Sequence, residues 1–159
     1  MEDDRAGFDC GRPSLNTWFQ RHAWRNQVTN ASRTNVIIDE ETGAIIGYVS
    51  LCAGQISRAS LSKAAQRNAP DPIPVILLGQ LAVDQRYQGQ GHARSLLLFA
   101  LETSLRLSRE IGCLGVITHP LDEDVRAFYA RFGFEDLPYD PKRSMIVRMV
   151  DLAASGFGA

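Results

Sequence analysis

The sequence predicts an α+β protein: a mixed, mostly antiparallel sheet flanked by helices, with its first strand shortened or absent, in a single domain over residues 1–159. Three observations predict it. A pair of apolar runs brackets the turn 40–43, as in a β-hairpin. A buried apolar run at 75–83 passes through Gly89 and Gly91 into a helical periodicity, and two further strand-like runs alternate with a second helical stripe. Strands and helices in that order give a sheet with helices packed on it.

Taken in order, Pro13-Ser14-Leu15 reads as a helix start with Ser14 as N-cap. Leu15, Trp18, Phe19 and Ala23 share one face and carry that helix to about Val28. Trp24 falls opposite, beside Arg21 and Gln27; such an aromatic either stacks on a nucleobase or packs on a neighbouring helix, and packing is the preferred reading. A polar turn at 30–34 leads into a strand at 35–39, and residues 44–51 return antiparallel to it. A polar, basic helical segment follows around 61–68. Pro70, Pro72 and Pro74 forbid helix and lead extended chain into the strand 75–83. The helix beyond Gly91 keeps a stripe of Leu97, Ala100, Leu101, Ser104, Ser108 and Ile111, ending at Gly112 as a C′ residue. Residues 114–119 are a strand, with His119 read as a loop residue at its end and not as a base. Asp122 caps a helix with the stripe Val125, Phe128, Tyr129 and Phe132, stopped by Gly133. A strand at 145–150 closes the fold, and residues 153–159 read as a frayed tail.

At 159 residues, 45% hydrophobic and 22% charged, the chain has the composition of a soluble domain with a full core. The net charge of −1 conceals an uneven distribution. Residues 12–38 hold Arg12, Arg21, Arg25 and Arg33, and residues 53–70 hold Arg58, Lys63 and Arg67, both without an acid. Either these form a face that attracts a polyanion or they are scattered surface cations. Cys10, Cys52 and Cys113 follow neither a metal pattern nor a disulfide framework, and suit a reducing compartment. An acidic start and short apolar runs point to a cytoplasmic protein with no membrane partner.

Gly89 and Gly91 free the backbone so that consecutive N–H groups can converge, and the following helix start adds unsatisfied donors. That makes a site for a phosphate or pyrophosphate, or else a tight turn with no ligand. No Lys-Ser/Thr follows, so this is not a P-loop, and the spacing is not the dinucleotide fingerprint.

Arg86-x-x-Gly89-x-Gly91 after Leu81-Ala82-Val83 resembles the acyl-CoA-binding motif of the GNAT N-acetyltransferases, and residues 128–134 resemble their helix-and-turn motif "FYxxxGF". The order and spacing of Gly7-Phe8-Asp9-Cys10-Gly11, Ser14-Leu15, the 30–34 turn, Gly47-Tyr48, Pro72-Ile73-Pro74-Val75 and Leu78-Gly79 resemble the GNAT toxins of bacterial toxin–antitoxin pairs. The resemblance implies the GNAT fold and acetyl-CoA as cosubstrate, with no metal. It implies cofactor contacts at Leu81, Ala82, Val83, Arg86, Gln88, Gly89, Gln90, Gly91, His92, Ala93, Arg94 and Phe128. It further implies acetylation of aminoacyl-tRNA, a ribbon-helix-helix antitoxin as partner, and a homodimer. The sequence departs from the pattern at Ala93, at His92, and at Gln80, where the group usually carries Arg; it also begins almost at Gly7, where a strand normally precedes.

The chemistry joins an amine to a thioester carbonyl and expels a thiolate. Amides of residues 81–83 can polarise the carbonyl, and the leaving sulfur needs a proton donor. Tyr129 fills that role by resemblance; a plain core tyrosine is the alternative. Glu102 and Glu110 read as solvated, and no base stands out. An α-amine, with an ordinary pKa of about 7.7–8.0, has little need of one, whereas lysine at about 10.4 does. Arg21, Arg25, Arg33 and Lys63 are the candidate RNA contacts, made to phosphates. The alternatives are a GNAT enzyme acting on a small amine or a protein N-terminus, and a CoA- or RNA-binding module without turnover.

Overall fold

The computed structural model describes residues 4–156. A 3₁₀ turn, Asp4–Gly7, leads into helices α1 (Pro13–Arg21) and α2 (Ala23–Thr29) and the hairpin β1 (Arg33–Ile38) and β2 (Ile45–Ile56). A one-turn helix α3 (Lys63–Gln66) precedes the long strand β3 (Ile73–Val83) and helix α4 (His92–Leu107). Then come β4 (Gly115–Thr118), α5 (Glu123–Ala130), β5 (Glu135–Asp136), β6 (Met145–Arg148) and α6 (Met149–Ala154). The strands form one six-stranded sheet in the order β1-β2-β3-β4-β6-β5. β1 pairs antiparallel with β2, and β6 pairs antiparallel with both β4 and β5. Among the described residues no strand precedes α1, and β1 stands at the sheet edge.

The chain divides into two compact units, one holding residues to Cys52 with Leu78–Ala100, the other Ala53–Leu77 with residues from Leu101 on. In the first, Phe8, Phe19 and Ala23 pack with Ile45 and Tyr48. The Tyr48 ring is fully buried, stacks on Phe19 at 4.3 Å and donates its hydroxyl to the Leu15 carbonyl at 2.8 Å. A buried hydroxyl needs such a partner, and this one ties α1 to β2. In the second unit Ile56, Leu61, Ile73, Val75, Ile117, Leu137 and Ile146 form the core.

Several expectations are corrected. The first helix is two, because His22 leaves helical geometry (φ −115°, ψ −27°) while the hydrogen bonds from His22 N to Trp18 O and from Asn26 N to His22 O continue across the break. Ser14 is not its cap: Arg12 holds that position and Pro13 the first helical one, where a missing N–H costs nothing. Trp24 is not packed on a neighbouring helix; it is exposed, with the Arg5 guanidinium 5.9 Å from its ring centroid. The 61–68 segment is helical only over Lys63–Gln66, capped by the Ser62 side chain. α4 stops at Leu107, not near Gly112, because the Ser108 hydroxyl takes the Leu105 carbonyl, a side-chain bond that competes with the helix. The last strand ends at Arg148, and α6 follows with Met149 and Leu152 buried, so residues 153–154 are helical; 157–159 lie outside the described residues. β5 was not foreseen; two residues carry no periodicity. The Asp122 cap (Val125 N to Asp122 Oδ1, 2.9 Å) and the positive φ of Gly133 agree with the sequence reading.

Candidate active site

The glycine loop belongs to the first unit. β3 ends in Leu81, Ala82 and Val83, and the chain turns through Gln85–Tyr87 to Gly89 and Gly91, both in the left-handed region at φ +78° and +86°. Neither glycine has a heavy atom within 4 Å of where a Cβ would stand. The open space beside them, together with the start of the sixteen-residue helix α4, whose first amides have no intrahelical acceptor, fits a pyrophosphate. Gln88, Gly89, Gln90, Gly91 and Arg94 are exposed, and His92 and Ala93 are half-buried. His92 meets the Tyr87 ring edge-on at 6.4 Å, so its side chain packs along the loop.

The loop is held by residues that the sequence reading passed over. Asp84, only 2% exposed, accepts from Arg86 Nε at 2.9 Å and Nη2 at 3.2 Å, from Arg86 N, and from Asp9 N at 3.1 Å. Burial pushes its carboxyl up, but the bonds from Arg86 and Asp9 outweigh it and hold the group below the usual carboxylate range. Arg86 therefore stands braced against Asp84, its guanidinium still more than half exposed toward solvent. Gln88 Nε2 donates to Val83 O at 2.9 Å and to Cys10 O at 3.1 Å, and Tyr87 donates to Asp39 at 2.9 Å. Asp39 is held low first by the Glu41 amide and then by that hydroxyl. The segment Asp9–Gly11 is thus a buttress of the loop. Removing the Arg86 guanidinium leaves the buried Asp84 carboxylate short of two bonds, at about 1–3 kcal/mol each, whereas removing Asp84 leaves donors on exposed Arg86 and Asp9 that water can reach. Arg86→Ala is accordingly expected to lower the melting temperature by roughly 5–15 °C, with the double variant Asp84→Ala/Arg86→Ala costing less because no buried charge is left unpaired; thermal unfolding of the two variants checks the difference.

Tyr129 and Phe128 belong to the second unit. Asp122 starts α5 so that Tyr129 points inward, 4% exposed, against Phe128 (5.3 Å) and Phe134 (5.2 Å), with its hydroxyl hydrogen-bonded to the Thr118 side chain on β4. Burial pushes its pKa up to about 12, partly offset by Thr118. The group stays protonated throughout any working range. The folded state therefore holds a proton that an unfolded tyrosine loses near pH 10, so its contribution to stability is complete below pH 10 and falls away as pH rises toward 12. We expect alkaline unfolding in that window. Following tyrosinate absorbance with pH, Tyr129→Phe should shift the midpoint upward.

Arg126, also unforeseen, is buried one turn before Tyr129 and binds Asp136 and the Arg143 carbonyl, the latter at 2.6 Å. It fastens the turn 140–144 to α5. Arg21, Arg25 and Arg33 are exposed in the first unit; Lys63 is exposed in the second, 5.9 Å from the Tyr139 ring centroid. Glu102 and Glu110 are exposed, Gln80 is half-buried, and the three cysteines are free. Among the described residues no cluster of three or more His, Cys, Asp or Glu could hold a metal, and no helix is long and apolar enough to cross a membrane.

Residues 31–136 match the family model of the acetyltransferase (GNAT) domain. The chain is 37% identical over 145 residues to the tRNA-acetylating toxin of Mycobacterium tuberculosis, an alignment spanning 91% of this chain and 86% of that protein. Among solved structures, AtaT complexed with acetyl-methionyl-tRNAfMet matches at a TM-score of 0.89 and 28% identity, covering 97% of this chain and 92% of that one. A tyrosine-to-phenylalanine variant of AtaT, bound to the C-terminus of the antitoxin AtaR and acetyl-CoA, matches at a TM-score of 0.81 and 25% identity, covering 98% and 91%.

Proposed function

We propose, because the chain belongs to the GNAT acetyltransferase family, that it takes acetyl from acetyl-CoA and delivers it to the α-amino group of an aminoacyl-tRNA, so blocking translation as the toxin of a toxin–antitoxin pair. The observation that carries this reading is its 37% identity, over 91% of its length, to a tRNA-acetylating toxin. Acetyl-CoA supplies an activated acetyl thioester. Amides from Gly89 to Arg94, with the positive end of α4, hold the pyrophosphate, and Arg86 adds charge beside it. The end of β3, Leu81 to Val83, and Phe128 hold the remainder of the cofactor.

Tyr129 donates to the departing sulfur. With its pKa pushed up to about 12, full transfer to a free thiolate of ordinary pKa about 8.5 runs uphill by about 5 kcal/mol. Tyr129 therefore acts first as a neutral hydrogen-bond donor, and its proton passes late. Arg21, Arg25, Arg33 and Lys63 touch tRNA phosphates. Four such contacts should cost about 100-fold in affinity between 0.05 and 0.2 M salt. Reversing each charge should weaken tRNA use and flatten that slope while sparing acetyl-CoA. Unchanged tRNA kinetics would remove these residues from the account.

A cytoplasmic homodimer restrained by a ribbon-helix-helix antitoxin completes the reading. The test is digestion of charged tRNA after incubation with labelled acetyl-CoA. N-acetylaminoacyl-adenosine supports the proposal; label recovered only on small amines or peptides replaces it with a GNAT enzyme for those acceptors.

A further inference from the structure

The mechanism above leaves unused a hydrogen-bonded chain in the second unit. His119 follows β4 directly, and its Nδ1 lies 2.7 Å from the Ser144 hydroxyl. Ser144 is 1% exposed, and its hydroxyl and its amide both bond the Asp140 carboxylate, the amide at 3.1 Å. Asp140 also accepts from Lys142 N at 3.0 Å. Burial raises the Asp140 carboxyl, but these bonds outweigh it and keep the group below its usual range, so it is an acceptor only. The Ser144 proton is therefore committed to Asp140, and the Ser144 oxygen is left to accept from His119 Nδ1–H. That fixes the imidazole tautomer, since the bond made by one ring nitrogen decides the state of the other. The lone pair stands on Nε2, and the ring is exposed beside a cavity of about 380 Å³. Asp140 and Lys142 are the charged groups lining that cavity; Gln55 of β2 and Ser57 and Ser60 beyond it are neutral. The turn that carries Asp140 and Ser144 is the one Arg126 pins to the helix bearing Tyr129.

We propose that the cavity receives the acceptor amine and that His119 Nε2 takes its proton, with Ser144 and Asp140 as positioning residues. This rests on the acetyltransferase reading and adds a base to it. The acceptor ammonium passes one proton to Nε2, the freed lone pair forms the N–C bond, and the second N–H proton leaves to solvent as the tetrahedral adduct collapses. The C–S bond breaks with its electron pair on sulfur, and Tyr129 or solvent supplies the proton that sulfur gains. Neighbouring residues of one strand end thus serve the two proton positions: Thr118 bonds the Tyr129 hydroxyl, and His119 faces the cavity.

The test uses the full chain with two acceptors, a charged tRNA and the methyl ester of the same amino acid. His119→Ala is expected to lower kcat/KM for an accepted amine by about 10- to 100-fold at pH 7. The deficit should shrink as pH rises toward 9, where the free amine needs no base. Added imidazole should restore activity in proportion to its unprotonated fraction. His119→Gln, which keeps the bulk, should behave alike but resist rescue. Unchanged kcat/KM, or a loss constant with pH and not rescued, overturns the proposal. Acetylation of the ester but not of tRNA sinks the tRNA reading alone, since the His119 comparison is then read on the ester. A wild-type protein inert toward both acceptors overturns both.

Discussion

Replacing Tyr129 by phenylalanine is expected to lower kcat about 10²- to 10³-fold, the usual effect of deleting one donor to charge that develops in a transition state. Acetyl-CoA affinity should stay within about twofold, because uniform binding is untouched. The substitution removes one oxygen from a side chain only 4% exposed, otherwise packed on Phe128 and Phe134. The fold should lose about 1 kcal/mol, a drop of only a few degrees in melting temperature. Separating the two readouts is what gives the variant its force. A core tyrosine without a chemical role would show the small stability loss and keep its rate. Because the hydroxyl stays protonated to about pH 12, the wild-type rate should also show no alkaline decline from tyrosine ionisation below pH 10.

Gly91→Val should weaken cofactor binding by a different route. At φ +86° a side chain is strained, by about 1–2 kcal/mol, and its Cβ enters the open space proposed for the pyrophosphate. Losing two charge-assisted amide bonds removes about 3 kcal/mol, which is about 100-fold in acetyl-CoA affinity. Gly43 supplies the control. It lies in the β1–β2 turn at φ +74° and likewise has nothing within 4 Å of a Cβ. Gly43→Val should therefore carry the same strain and melting-temperature loss with unchanged acetyl-CoA binding by calorimetry. If both variants bind normally, the loop is a plain strand-to-helix turn.

The parts legible in the sequence were those written locally. Gly89 and Gly91 sit between an apolar strand and a helical stripe, and Asp122 and Gly133 bracket α5, so loop and tyrosine helix could be located from spacing alone. What escaped depends on residues far apart in the chain. The partners Asp9 and Asp84 stand 75 positions apart, and His119 and Ser144 stand 25 apart. No periodicity announces that such groups will meet. Arg126 reads as one more surface charge on a helix until Asp136 and the Arg143 carbonyl are seen around it. The break at His22 escaped for another reason: the apolar stripe continues across it, and only the backbone dihedrals change.

These features converge on one claim, that the acceptor is an aminoacyl-tRNA and not a free amine. The most direct measurement compares kcat/KM for a charged tRNA with that for the methyl ester of the same amino acid, each at low and high salt. Both acceptors present the same α-amine, so the ratio isolates what the nucleic acid adds. The account predicts a preference for tRNA of at least about 10³-fold at low salt, falling about 100-fold as salt rises from 0.05 to 0.2 M. Equal values for the two acceptors, or a preference indifferent to salt, would contradict it.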